Sequence, residues 1–95
     1  MQTLGNLGAR PSKINRTNIT EHLIEYQLSL IGLTIKDVEK DEQWYYNNTL
    51  TQEQHDKLRA YVIPLLKKIF KFNKSKAEST FAWFDAMFGL RVSNN

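Results

Sequence analysis

Apolar residues spaced as on one face of an α-helix are the feature that most restricts how this chain can fold. The clearest stripe lies in the second half, behind a capping pair formed by Thr51 and Gln54. Pro64 interrupts the stripe but the spacing stays in phase, which favours one kinked helix over two helices that meet at Pro64. Strand-like alternation with period two is absent over any useful length. The stripe consists of Leu58, Tyr61, Val62, Leu65, Leu66 and Ile69.

Three further segments have helical spacing and punctuation at their ends. The middle one is equally compatible with a single helix or with a short helix followed by a turn. Glycine at the ends of the first and last segments suits a helix stop. The expected bounds are Ile19 to Ile31 with Gly32 after it, Ile35 to about Tyr46, and near Lys76 to Gly89. The expected caps are Asn18 with Glu21 or else Thr17, then Thr34 with Asp37, and Ser75 with Glu78.

Length and composition place these helices in one domain. The chain has 95 residues, 41% of them hydrophobic, and it has no cysteine, which excludes disulfides and thiolate chemistry. We predict an all-α fold: a three- or four-helix bundle over residues 17–92, preceded by a flexible basic arm over residues 1–16. The arm either frays or reaches along a phosphate backbone or a partner. The absence of a long apolar run or a secretory leader predicts no membrane span and a cytoplasmic location.

Charge is distributed very unevenly along the sequence. Residues 57–77 carry seven cations and no anion, whereas residues 36–56 carry two cations and six anions. The whole chain has a net charge of only +3. Either the two segments neutralise one another in the fold, or the basic one forms a binding patch.

No recognisable catalytic pattern is present. The two histidines, His22 and His55, each lie near acidic residues, but neither belongs to a set of three or four metal ligands. A phosphate-binding glycine loop, a nucleophile elbow and a Ser/His/Asp order are all missing. The sequence therefore predicts a protein that is not an enzyme and that holds no cofactor or metal.

Aromatic residues provide the leading functional hypothesis. The chain has eleven Phe, Trp and Tyr residues, more than the roughly six or seven that a bundle of this size buries. On a helical wheel Trp83 lies on the flank of the face formed by Phe81, Phe84 and Phe88. Exposed Trp and Tyr dominate protein interfaces, so we predict a surface for the protein itself or for another protein. Its predicted contact residues are Trp44, Tyr45, Lys71 and Trp83.

Nucleic-acid binding is the alternative. The order helix, short turn, helix over residues 58–88 is typical of a helix-turn-helix unit. The turn lacks glycine, however, and the last helix is apolar beyond Thr80, which is unusual for a recognition helix. A basic amphipathic helix lying on a membrane surface, with Ile69, Phe70 and Phe72 inserted, is a third reading. The residues predicted to contact nucleic acid are Lys67, Lys68, Lys71, Lys74, Lys76 and Ser79.

About 40 residues of the C-terminal half resemble a known group of proteins. The matching succession is Thr51-x-x-Gln54, Lys67-Lys68, Lys74 to Glu78, Phe81 to Asp85, and Phe88 to Val92. It resembles small uncharacterised proteins of tailed phages and prophages. The resemblance implies a phage accessory factor in the host cytoplasm, either a small binder of host machinery or a virion component. It implies no activity and no site residues.

Overall fold

A computed structural model describes residues 14–93 and confirms the all-α class. Two of its helices are very short, and an isolated parallel bridge joins Leu50 to Val92. Most of the predicted basic arm, residues 1–13, lies outside the described residues. The helices are α1 (Ile19–Ser29), α2 (Ile35–Glu39), α3 (Trp44–Asn47), α4 (Gln52–Phe70) and α5 (Lys74–Phe88).

Helix α1 ends in a glycine turn, as its sequence predicts. Gly32 has a φ of 77°, the left-handed region that glycine enters without steric cost. The Leu33 amide donates to the Leu28 carbonyl and the Gly32 amide to the Ser29 carbonyl, the two bonds of a Schellman cap. At the other end the predicted capping box is wrong, because the Asn18 side chain accepts from the Asn15 amide and forms no cap bond.

The predicted second helix is divided into two. Helix α2 begins with a capping box in which Thr34 accepts from the Asp37 amide and Asp37 accepts from the Thr34 amide. The Thr34 amide and, to a lesser extent, the Thr34 hydroxyl donate to the Asp37 carboxylate and lower its pKa, because both bonds favour its charged form. The chain leaves α2 after Glu39 and turns through residues 40–43 before α3. Of the two alternatives, the structure shows a short helix followed by a turn, and the turn leads into α3.

Helix α4 is continuous through Pro64, in agreement with the single helix that the phase of its stripe favours. The Thr51–Gln54 capping box is confirmed, with both reciprocal bonds present. The helix ends at Lys71, the only described non-glycine residue with a positive φ, at 61°. This residue turns the chain directly towards α5.

Helix α5 begins earlier than predicted. Asn73, not Ser75, is its cap: the Asn73 side chain accepts from the Lys76 amide at 2.8 Å. The prediction of a Ser75–Glu78 capping box is therefore wrong, and the helix starts at Lys74. It ends before Gly89 as expected, but Gly89 is extended, with a φ of −77°. A glycine is needed there because a Cβ would overlap Asp85.

Helices α4 and α5 form an antiparallel hairpin, and α1 packs against α4. Arg59 pairs with Glu78 at 2.9 Å, and His55 pairs with Asp85 at 3.1 Å, which sets the direction of the two helices. The chain after α5 then closes the core through Leu90 and the bridge to Leu50. The buried core consists of Ile19, Leu23, Leu28, Leu50, Leu58, Val62, Ile63, Leu66, Ala77, Phe81, Phe84 and Leu90.

Candidate functional site

A small apolar depression, here called the aromatic groove, lies where α3 meets the C-terminal end of α5. It has a volume of about 130 Å³. Helix α1 contributes one residue, α3 two and α5 two. The lining residues are Ile24, Trp44, Tyr45, Met87 and Phe88.

Hydrogen bonds fix the short helix α3 in place. The Tyr45 hydroxyl donates to the Gly89 carbonyl at 2.6 Å, directly after α5 ends. The Asn48 side-chain amide donates to the Trp44 carbonyl at 2.8 Å. The Trp44 and Tyr45 rings meet edge to face at 5.6 Å, and both side chains are partly buried. Trp44 and Tyr45 therefore form a rigid wall of the aromatic groove.

The surface continues along the solvent side of α5, here called the outer face of α5. Trp83 is 55% exposed and Met87 is 58% exposed. The Trp83 ring packs edge to face on Phe88 at 5.9 Å, and Met87 lines the aromatic groove, so the two surfaces are continuous. The outer face consists of Ser79, Ala82, Trp83, Ala86 and Met87, none of them charged.

Three of the four predicted protein-binding residues thus lie together. Trp44 and Tyr45 line the groove, and Trp83 contacts Phe88 beside it. Lys71 does not join them: it lies in the connection before α5, and Trp83 is about 14 Å further along the helix axis. Its backbone, in the left-handed region, makes the turn between the two helices.

The end of the molecule that holds the α4–α5 connection is basic, and is here called the basic end. Phe70 and Phe72 stack there at 5.1 Å; Arg16 lies over Phe70 at 5.5 Å and Lys76 over Phe72 at 5.6 Å. All six residues predicted to contact nucleic acid are exposed in or near this end, and Ser79 also belongs to the outer face of α5. They are Lys67, Lys68, Lys71, Lys74, Lys76 and Ser79.

None of the five lysines of the basic end forms an ion pair within residues 14–93. The ion pair of this part of the chain is Arg59–Glu78, and His55 contacts the Asp85 carboxylate at 3.1 Å; both contacts lie further along the hairpin. The antiparallel arrangement differs from a helix-turn-helix unit, whose second helix crosses the first at about 90–120°. The basic end therefore carries exposed positive charge without the crossed pair of helices that a helix-turn-helix unit has.

Both histidines have neighbours inside the fold. His22 Nε2 meets the Tyr61 hydroxyl, and the Tyr61 ring stacks on Tyr26 at 3.9 Å. Burial raises the pKa of the Tyr61 hydroxyl, and the nearby Tyr26 raises it further. His55 lies between Asp85 and the Phe81 ring. In the part of the chain that the structure covers, no three His, Asp or Glu side chains cluster as metal ligands.

The sequence patterns did not predict the buried hydrogen bonds of Gln27 that hold the C-terminal end of α5. Gln27 lies within the apolar stripe of α1, and this position was the available signal that a polar side chain is buried there. Its amide bonds to the last residue of α5, Phe88, and to Leu90 in the segment that follows.

Among residues 14–93 no helix is long and apolar enough to cross a membrane.

Comparison with known proteins adds no relative. No family model, no curated protein and no solved structure matches this chain. The aromatic groove, the outer face of α5 and the basic end have to be interpreted from their own geometry and chemistry.

Proposed function

We propose that this chain is a small non-enzymatic interaction protein that binds another protein through the aromatic groove and the outer face of α5. The observation that carries the proposal is the exposure of Trp83 and Met87 side by side on a helix face without charge. Large apolar side chains grouped on a surface mark interaction sites, and Trp is the residue most enriched among binding hot spots.

The size of the groove favours a protein partner over a small molecule. Ligand sites usually enclose about 300–1,000 Å³. The aromatic groove, at about 130 Å³, is well below that range and suits a single apolar side chain of a partner. Trp83 and Met87 would extend the contact beyond this side chain.

The resemblance to small phage and prophage proteins supports the biological setting of the proposal. Those proteins imply an accessory factor that acts in the host cytoplasm on host machinery or on a virion component. A preformed aromatic surface on a small domain fits such a role, since it needs no catalytic group.

Site-specific photo-cross-linking tests the proposal. A photoreactive phenylalanine analogue replaces Trp83, or, as a control, exposed Ala60 on α4, and the protein is irradiated in bacterial cells. We expect a defined protein adduct from position 83 and not from position 60. The purified partner should lose affinity by about 2–4 kcal/mol for Trp83→Ala. Equal adducts at the two positions, or an unchanged affinity, would contradict the proposal.

Binding of nucleic acid through phosphates is a second candidate, favoured by the unpaired lysines of the basic end. Anisotropy of a labelled duplex across a salt series tests it, since log affinity falls with log salt by about 0.9 for each phosphate contact. Lys74→Glu combined with Lys76→Glu should lower this slope by about 1.8. The matched control, Lys36→Glu with Lys40→Glu, reverses two lysines elsewhere and should leave it unchanged. No binding at low salt would remove this candidate.

A further inference from the structure

Helix α5 is apolar on two opposite sides. One side enters the core through Ala77, Phe81 and Phe84, while the outer face of α5 lies in solvent. A helix on the surface of a globular protein normally has a charged or polar outer side, and one that is apolar all round is normally covered. We therefore expect the face that holds Trp83 and Met87 to pack against a second surface.

Charge is polarised along the same helix. Its N-terminal end adjoins the five lysines of the basic end. Its C-terminal end adjoins the N-terminus of α4, because the hairpin is antiparallel, and adjoins the turn before α3. These neighbours carry four exposed carboxylates, and they are here called the acidic end. The cations Lys40 and Lys57 lie among them and Arg91 follows α5, so the negative excess is small. The carboxylates are Asp41, Glu42, Glu53 and Asp56.

We propose that the outer face of α5 packs on the same face of a second copy of this chain, with the two helices antiparallel about a two-fold axis. The inference rests on the proposed function and names the partner of that surface. A two-fold axis across the middle of α5 brings the basic end of each copy to the acidic end of the other, and it does so twice. The two helix dipoles also oppose one another in this arrangement.

The residues of the outer face fit this pairing. With the axis between Ala82 and Trp83, each Trp83 lies opposite Ala82 of the second copy. Ala86 then lies opposite Ser79 of the second copy. Trp83 thus meets a small side chain, and Met87 comes opposite Glu78 of the second copy, whose carboxylate pairs with Arg59 of its own chain. The alanines allow the helices to approach to about 8 Å. Lys76 comes opposite Gly89 of the second copy, close to where Tyr45 fastens α3.

Sedimentation velocity over a concentration series tests the pairing. The wild-type chain should shift from a mass of 11.1 kDa to twice that value as its concentration rises. Ala86→Glu places a carboxylate in the contact and should raise the dimer dissociation constant by about 100-fold or more. Ala60→Glu, at an exposed alanine of α4, is the matched control and should dimerise as the wild type does. Equal dissociation constants for these two variants would overturn the proposal.

Charge reversal tests the antiparallel direction. Lys74→Glu with Lys76→Glu should weaken dimerisation by about 10-fold, because like charges then face one another. Adding Glu42→Lys with Glu53→Lys to the same chain should recover at least half of the loss on a logarithmic scale. A loss that is not recovered would overturn the antiparallel arrangement.

The cross-linking experiment separates this inference from the proposed function. An adduct between two copies at position 83 supports the dimer. A wild-type chain that stays monomeric while position 83 captures a different protein overturns the dimer and leaves the proposed function standing. A monomer with no adduct overturns both.

Discussion

Gln27 shows how much one polar side chain can hold together in a small core. It is fully buried, its amide nitrogen donates to the Phe88 carbonyl at 3.1 Å, and its oxygen accepts from the Leu90 amide at 3.0 Å. Both ends of the side chain are therefore satisfied, and they fasten α1 to the chain that leaves α5. A buried polar group with its partners in place avoids the penalty of desolvation.

Replacing Gln27 by methionine should destabilise the domain sharply. The change preserves the length of the side chain but leaves the Phe88 carbonyl and the Leu90 amide without partners. We expect a loss of about 2–4 kcal/mol in the free energy of unfolding, measured by urea denaturation. Gln52→Met, at an exposed position of α4, is the control and should change stability by less than about 0.5 kcal/mol. Similar losses in the two variants would contradict the role given to Gln27.

Lys71 is defined by its backbone more than by its charge. Its left-handed conformation costs a residue with a side chain about 1–2 kcal/mol, whereas glycine enters it freely. Lys71→Gly should therefore stabilise the domain by about 1 kcal/mol in urea denaturation. Lys67→Gly, in the last turns of α4, should instead destabilise it by a similar amount, about 1 kcal/mol. Shifts of the same sign in both variants would contradict this account.

At the scale of elements, α5 has a core side and an apolar side that faces solvent. Phe84 is buried and Trp83, the next residue back, is more than half exposed. Neighbouring positions on a helix point about 100° apart, so Phe84 can enter the core while Trp83 faces solvent. Phe84 therefore contributes to the stability of the core, whereas Trp83 is free to make the proposed contact.

Alanine substitutions should separate these two roles. Phe84→Ala should cost about 3–5 kcal/mol of stability, because it opens a cavity in the core. Trp83→Ala should cost only about 1 kcal/mol, chiefly the edge-to-face contact with Phe88. Thermal and urea unfolding of both variants at equal concentration measure the difference. If Trp83→Ala destabilised the domain as much as Phe84→Ala, Trp83 would be a core residue and the proposed surface would be wrong.

The contact between α1 and α4 should make stability fall in alkaline solution. The unfolded chain ionises Tyr61 with the usual pKa of 10.0, and the folded chain ionises it only at a higher pH. The contribution is thus fully present below pH 10.0 and is lost as the pH rises from there towards the folded pKa. Urea denaturation between pH 9 and pH 11 should show a smaller alkaline loss for Tyr61→Phe than for the wild type. Tyr46→Phe, on exposed α3, retains Tyr61 and should keep the wild-type loss.

Local sequence patterns predicted most of the helices but little of how the helices pack together. The stripe of α4 and its Thr51–Gln54 cap could be predicted because each depends on residues within a few positions of one another. The cap of α5 was misplaced by two residues because Asn73 and Ser75 are both good caps, and only the backbone path chooses between them. The helical wheel placed Trp83 on the flank of the apolar face but did not decide which aromatic residues are exposed. The aromatic groove required knowing that α3 packs on the end of α5.

At the scale of the whole molecule, the segment that follows α5 completes the core and connects it to α3 and Leu50. Leu90 is buried, Tyr45 bonds to Gly89, and Leu50 exchanges backbone hydrogen bonds with Arg91 and Ser93 at 2.9 and 2.7 Å. Three separate parts of the chain thus converge on one short segment. Its removal would open the core and the aromatic groove together.

Leu90→Ala should accordingly affect both stability and the groove. We expect a loss of about 2–5 kcal/mol in the free energy of unfolding, as for other buried leucines. Val92→Ala, two residues later and less buried, should cost less than half as much. Hydrogen exchange of the Leu50 amide reports on closure, and it should accelerate in Leu90→Ala. Unchanged protection of Leu50 would show that the segment is not needed to close the core.

Because this segment follows all five helices, its contacts with α1 and α3 can form only after those helices have been synthesised. Gln27 bonds to Leu90, which lies 63 residues further along the chain. A ribosome that adds about 5–20 residues per second reaches Leu90 roughly 3–13 s after Gln27. Until then α1 has an unsatisfied amide on its apolar side, and α3 has no carbonyl for Tyr45. During this interval α1 and α3 can form but cannot yet bond to the segment that follows α5, and their aromatic residues are open to chaperones.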